Sequence, residues 1–130
     1  MGAVTSKDEL AERADAGSEY HHRHYSELIA ACRGLPPLRT AVVHPCDENS
    51  LRAACTAAAT ELIEPLLVGP EPRIRELAAT LRLDLSNVKF VATAHSHASA
   101  QQAVALARAG EVDALMKGSL HTDELMAEVV

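Results

Sequence analysis

Residues 40–70 read TAVVHPCDENSLRAACTAAATELIEPLLVGP. The run Thr40–His44 is short, β-branched and apolar, which suits a strand. Asp47 follows and can cap a helix whose inner face is Leu51, Ala54, Cys55, Ala58 and Leu62. Pro65–Val68 is a second apolar run, closed by Gly69-Pro70. Strand, amphipathic helix and strand make one βα step, and the same pattern then recurs. Pro72 suits the first turn of a second helix, with Ile74, Leu77, Ala78 and Leu81 on its inner face. Val88–Ala92 is a third strand. A third helix turns Ala100, Ala103, Val104 and Ala107 inward and stops at Gly110. Asp113–Met116 is a fourth strand, and a fourth helix opens near Thr122. The strands start 25, 23 and 25 residues apart. Short apolar strands alternating with amphipathic helices predict an α/β protein, a three-layer α/β/α arrangement around a parallel sheet of βα units. Right-handed crossovers put helices on both faces. The strand order stays open.

Outward from this repeat, residues 19–35 read as a linker helix. Tyr25, Leu28, Ile29 and Cys32 fall at i, i+3, i+4 and i+7, and Gly34 stops the helix before Pro36-Pro37. His21, His22, Arg23 and His24 sit on its other side as a solvated face. Residues 1–18 are polar and read as a tail or linker. At the other end, Glu124–Val130 runs out with no Gly, Pro or polar stop. Residues 36–130 are therefore expected to be the N-terminal part of a larger α/β domain, incomplete at its C-terminus.

Composition narrows the function. The chain has 130 residues, of which 48% are hydrophobic, enough to exclude a wholly disordered chain. Twelve basic residues against 18 acidic ones give a net charge of −6. With so few aromatic side chains (two Tyr, one Phe, no Trp) and no basic stripe, nucleic acid is not an expected partner. The apolar runs are too short to span a membrane. The first thirty residues carry charge throughout, unlike a signal peptide. Cys32, Cys46 and Cys55 are an odd number without a CxxC pair, which points to a reducing, cytoplasmic setting.

In an open parallel sheet, ligands gather at the carboxyl ends of the strands. Those exits read His44-Pro45-Cys46-Asp47, Gly69-Pro70-Glu71-Pro72, Thr93-Ala94-His95-Ser96-His97 and Lys117-Gly118-Ser119-Leu120-His121-Thr122. The fourth is the most informative. Gly118 permits close backbone approach, the amides of the following helix offer a positive dipole end, and Lys117, Ser119 and Thr122 add an ammonium and two hydroxyls. That combination predicts an anion cradle. The plainer reading is a βα turn with Thr122 as N-cap. His95 and His97 could hydrogen-bond a ligand or cap a helix. With His44, Cys46 and His121 they have zinc-ligand chemistry but no metal-ligand spacing, so no metal is expected. Cys46 lies ahead of a helix N-terminus, which would lower its thiol pKa if exposed, but no partner for a nucleophile is identifiable.

Four stretches resemble the phosphate acetyltransferase/phosphate butyryltransferase family: TAVVHPCDENSL (40–51), EPLLVGPEPRI (64–74), AHSHASA (94–100) and, most specifically, MKGSLHTDELM (116–126). The likeness runs from Leu35 to Val130 and is greatest to the transferase portion of proteins in which an enoyl-CoA hydratase precedes it. The resemblance implies the reaction acyl-CoA plus phosphate to acyl phosphate plus CoA, with coenzyme A and phosphate as substrates and no tightly bound cofactor. It also implies a homodimer in the full-length protein. On this resemblance Lys117, Gly118, Ser119, His121 and Thr122 line the cleft, with His44, His95 and His97 as further substrate-binding candidates. The family's catalytic Ser-Arg pair and acidic residue fall beyond Val130, so no catalytic residue is assigned and the 130 residues alone are expected to be inactive. Two rivals remain: a non-catalytic CoA- or acyl-phosphate-binding or docking module fused to a hydratase, and a small stand-alone phosphate-binding domain.

Overall fold

The computed structural model describes residues 23–130. The tail over 1–18 and the start of the linker helix, with His21 and His22, lie outside them. The elements are α1 (Arg23–Ala31), β1 (Leu38–Val43), α2 (Glu48–Ala59), β2 (Ile63–Gly69), α3 (Glu71–Leu81), β3 (Lys89–Ala92), α4 (Ser96–Arg108), β4 (Ala114–Lys117) and α5 (Thr122–Val129). All strand pairs are parallel, in the order β3-β2-β1-β4. The chain steps outward from β1 to β2 to β3, then crosses back to lay β4 on the other side of β1. The order therefore reverses between β1 and β4, and this is the switch point at which open sheets admit ligands.

Side chains on a strand alternate between faces, and β1 and β2 serve both. Val42 and Leu67 join Leu51 and Ala54 of α2 and Ile74 and Ala78 of α3 in one core. Ala41, Val43 and Val68 point the other way, onto Ala100, Ala103 and Val104 of α4 and Leu125 of α5. Leu51, Leu67 and Ile74 are fully buried, each stabilising the fold by roughly 2 kcal/mol through area removed from water. The three-layer α/β/α arrangement read from the sequence is the one observed. Thr60, also fully buried, satisfies its hydroxyl on the Thr56 and Ala57 carbonyls.

Element ends differ from expectation by one or two residues. β1 begins at Leu38 and stops at Val43, because His44 turns into a left-handed conformation with φ 56°. β4 ends at Lys117 rather than Met116, since Val43 pairs with Lys117 in the ladder. At the other end of that ladder Arg39 grips Asp113 with two hydrogen bonds of 2.9 Å, Nε to Oδ2 and Nη2 to Oδ1, fixing the register. In α1 the anticipated apolar stripe buries only Ile29, while Tyr25 and Leu28 are exposed.

Candidate functional site

The exits of β1 and β4 meet at the switch point. Past Val43 the His44 carbonyl accepts from the Cys46 amide at 2.9 Å, the Ser119 amide at 2.8 Å and the Ser119 hydroxyl at 2.9 Å. Ser119 Oγ in turn accepts from the Cys46 amide at 3.1 Å. The Gly118 amide donates to the Val43 carbonyl at 2.8 Å. Lys117 Nζ folds over its own loop, donating to the Leu120 carbonyl at 2.7 Å and to Gly118 O at 3.2 Å. The turn is laced to β1 by backbone.

This corrects the anion-cradle expectation. The amides of Gly118 and Ser119 and the Ser119 hydroxyl donate inward, so they do not face a ligand. Gly118 does allow a close backbone approach, but the approaching group is the His44 peptide. The N-cap of α5 is His121, whose amide donates to Glu124 Oε2 at 3.1 Å, and Thr122 is its first helical residue. Thr122 stands exposed with its hydroxyl bonded to no described residue.

The β3 exit joins the same end of the sheet. His95 is the N-cap of α4, its Nδ1 accepting from the Ala98 amide at 3.2 Å. Its ring stacks on that of His97 with centroids 6.3 Å apart. His97 Nδ1 lies 3.8 Å from Glu128, and Ser96 donates to Glu124 at 3.0 Å, so the N-terminal end of α4 is tied to both the first and the last turn of α5. Behind them sits His44, almost wholly buried, with Nδ1 3.0 Å from Ser99 Oγ, which is 2.6 Å from Thr93 Oγ1. Burial, and then the Arg73 charge, push the His44 imidazole below its ordinary pKa, favouring the neutral ring.

The structure thus brings His44, Lys117, Gly118 and Ser119 into one cluster, while His95, His97, His121 and Thr122 line its rim. Arg73 was missed by sequence reasoning. It opens α3 just past the Gly69-Pro70 turn and its field reaches both His44 and Cys46; a basic residue so soon after a strand exit was the available signal. Cys46 is partly buried, so the condition of exposure set for a lowered thiol pKa is not met, and burial raises it instead. Among the described residues no group of three or more His, Cys, Asp or Glu could hold a metal. A groove of about 650 Å³ lies at the opposite end of the sheet, lined by Arg52, Cys55, Glu64, Arg82 and Asp84.

No family model matches the chain. Curated relatives do. A phosphate acetyltransferase of Rhizobium meliloti is 57% identical over 105 residues, 81% of this chain and 33% of the relative. One from Rickettsia typhi is 46% identical over 116 residues, 89% of this chain and 33% of the relative. A phosphate butyryltransferase of Clostridium beijerinckii is 29% identical over 108 residues, 83% and 36% of the two chains. Among solved structures, the EutD phosphotransacetylase from Staphylococcus aureus shares the fold, with a TM-score of 0.55 and 21% identity over 66% of this chain and 34% of its own. The chain spans about a third of the length of the curated relatives it matches. Over more than four fifths of its own length the chain is similar to phosphate acetyltransferases and to a phosphate butyryltransferase.

Proposed function

We propose that the full-length protein is a phosphate acyltransferase and that this chain supplies one wall of its site. In the reaction a phosphate oxygen attacks the thioester carbonyl carbon of an acetyl- or butyryl-CoA. The carbon–sulfur bond then breaks, the CoA thiolate takes up a proton, and acyl phosphate leaves; the reverse transfer follows the same path. The observation that carries this reading is the 57% identity to a phosphate acetyltransferase across 81% of the chain. Such a reaction needs positioned donors and charge at a crevice rather than a metal. In this proposal Lys117 and the laced Gly118-Ser119 turn hold the crevice floor rigid, while Thr122, His121, His95 and His97 meet substrate along the rim. The same proposal carries a cytoplasmic homodimer. Thiol release from acetyl-CoA and butyryl-CoA, followed with a thiol-reactive dye in the full-length protein, tests it. Release is expected only when phosphate is present. Absence of phosphate-dependent release would overturn the assignment.

A further inference from the structure

Ser99 has one proton and two lone pairs to share. Its Oγ contacts the His95 carbonyl at 3.0 Å, Thr93 Oγ1 at 2.6 Å and His44 Nδ1 at 3.0 Å. A carbonyl oxygen only accepts, so the serine proton goes to His95. Thr93 Oγ1 has no other partner among the described residues and donates to Ser99. The remaining lone pair then takes its proton from His44 Nδ1. All three contacts are satisfied only this way, and the imidazole is left as the Nδ1–H tautomer with a bare lone pair on Nε2.

That lone pair reaches the surface. Among the described residues every buried side-chain nitrogen and oxygen has a partner, whereas Nε2 of His44 has none, although the residue as a whole is only 6% exposed. Among the described residues His44 is also one of three non-glycine residues with positive φ, and the one at a strand exit. Its ring lies against Gly69 at the end of β2, where an added methyl would come within 3.8 Å of Nδ1. Beyond Gly69 stands Arg73, exposed and in no ion pair among the described residues. Its charge bears on His44, as do those of Glu124 and His95.

A hydrogen-bond acceptor at the mouth of the sheet, with a guanidinium four residues past the glycine its ring lies against, suits an anion that still carries a proton. We propose that His44 Nε2 and Arg73 form a subsite for a proton-bearing phosphoryl group and reject a fully deprotonated tetrahedral anion. Hydrogen phosphate can donate its hydroxyl to Nε2 while its other oxygens face Arg73. Sulfate has the same shape but no proton at neutral pH, so it sets lone pair against lone pair. The role of this group in turnover rests on the acyltransferase reading; its binding does not. At neutral pH inorganic phosphate still carries such a proton, whereas a phosphate monoester such as the 3′-phosphate of coenzyme A, with a second pKa of about 6, has largely lost it.

Nitrogen resonances of the His44 ring, followed by NMR in the full-length protein at neutral pH, test the subsite directly. Nε2 is expected to shift saturably with inorganic phosphate and to stay unmoved by sulfate. A response to coenzyme A that its dephospho form does not share would assign the site to a phosphate monoester and overturn the need for a proton on the ligand. His44→Asn keeps a nitrogen against Ser99 while removing the outer one, and should weaken phosphate binding about tenfold and bring phosphate and sulfate to equal affinity. Arg73→Gln, at an exposed position, should weaken binding in a folded protein even if the His44 variant fails to fold. Equal response to sulfate, or none to inorganic phosphate, would overturn the subsite. An Nε2 response without acyl transfer would leave the subsite standing and remove the enzyme reading; turnover without a response would do the opposite.

Discussion

A methyl group on Gly118 would lie 2.7 Å from the His44 carbonyl carbon and closer still to the carbonyl oxygens of Val43 and His44. Backbone cannot step aside as the tip of a long side chain can, and the amides on both sides of this contact are already committed. Gly118→Ala should therefore destabilise the full-length protein by at least about 3 kcal/mol, at the upper end of overpacking costs. Gly110→Ala offers the contrast. That residue has φ 76° but open space around its Cα, so only the left-handed backbone is penalised, by about 1–2 kcal/mol. Urea unfolding midpoints of the two variants check the difference; equal losses would mean that the β1–β4 turn yields. The same contact explains why the turn was misread from sequence. Lysine, glycine, serine and threonine at a strand exit can cradle a ligand or satisfy a neighbouring strand's carbonyls, and both uses need the same residue types. What separates them is whether another backbone lies in reach, which only the strand order decides.

Helix α2 begins where the sequence placed it because Asp47 has the residue type a cap needs. Its Oδ1 accepts from the Ser50 amide at 2.9 Å and it also engages the Ser50 hydroxyl. These bonds hold the carboxyl below its ordinary value of 3.8, since only the ionised form accepts them well. A carboxyl whose native pKa is depressed stabilises the fold fully above the unfolded value, and loses that contribution as pH falls through the lower native one. Asp47→Ala should cost about 1 kcal/mol near neutrality, with the gap to the parent closing as acid titrates the cap below 3.8. Asp47→Asn should retain most of the stability and flatten that acid limb. Thermal melts across an acid pH series measure both, and an unchanged acid limb in the Asn variant would remove the cap from the account. Elements of this kind were legible because period and cap chemistry are local. The four strands and the inner faces of α2, α3 and α4 follow from apolar spacing, whereas the end of β1 does not, because His44 leaves the strand to meet Ser99 and β4. Arg73 escaped for the same reason: nothing near it in sequence says that His44 lies across the sheet end.

At the scale of the whole molecule, the topology leaves β3 and β4 as the edges of the described sheet. Strand β4 is only half-buried, and α5, which packs on α4, turns Met126 and Val129 outward at 49% and 45% exposure. An open strand edge with apolar side chains alongside is a template for pairing, since its amides and carbonyls lack partners and its side chains gain by leaving water. The relatives are about three times as long as the region they share with this chain, so in them further chain is available to occupy such an edge. The 130 residues prepared by themselves are therefore expected to associate in a concentration-dependent way. Sedimentation velocity over a wide concentration range measures this, and Met126→Glu should shift the distribution toward smaller species by placing charge on the exposed face. A parent that stays monomeric at every concentration and melts in one cooperative transition would instead mean that the edge is quiet. The stand-alone phosphate-binding domain would then displace the acyltransferase wall as the better description of these residues.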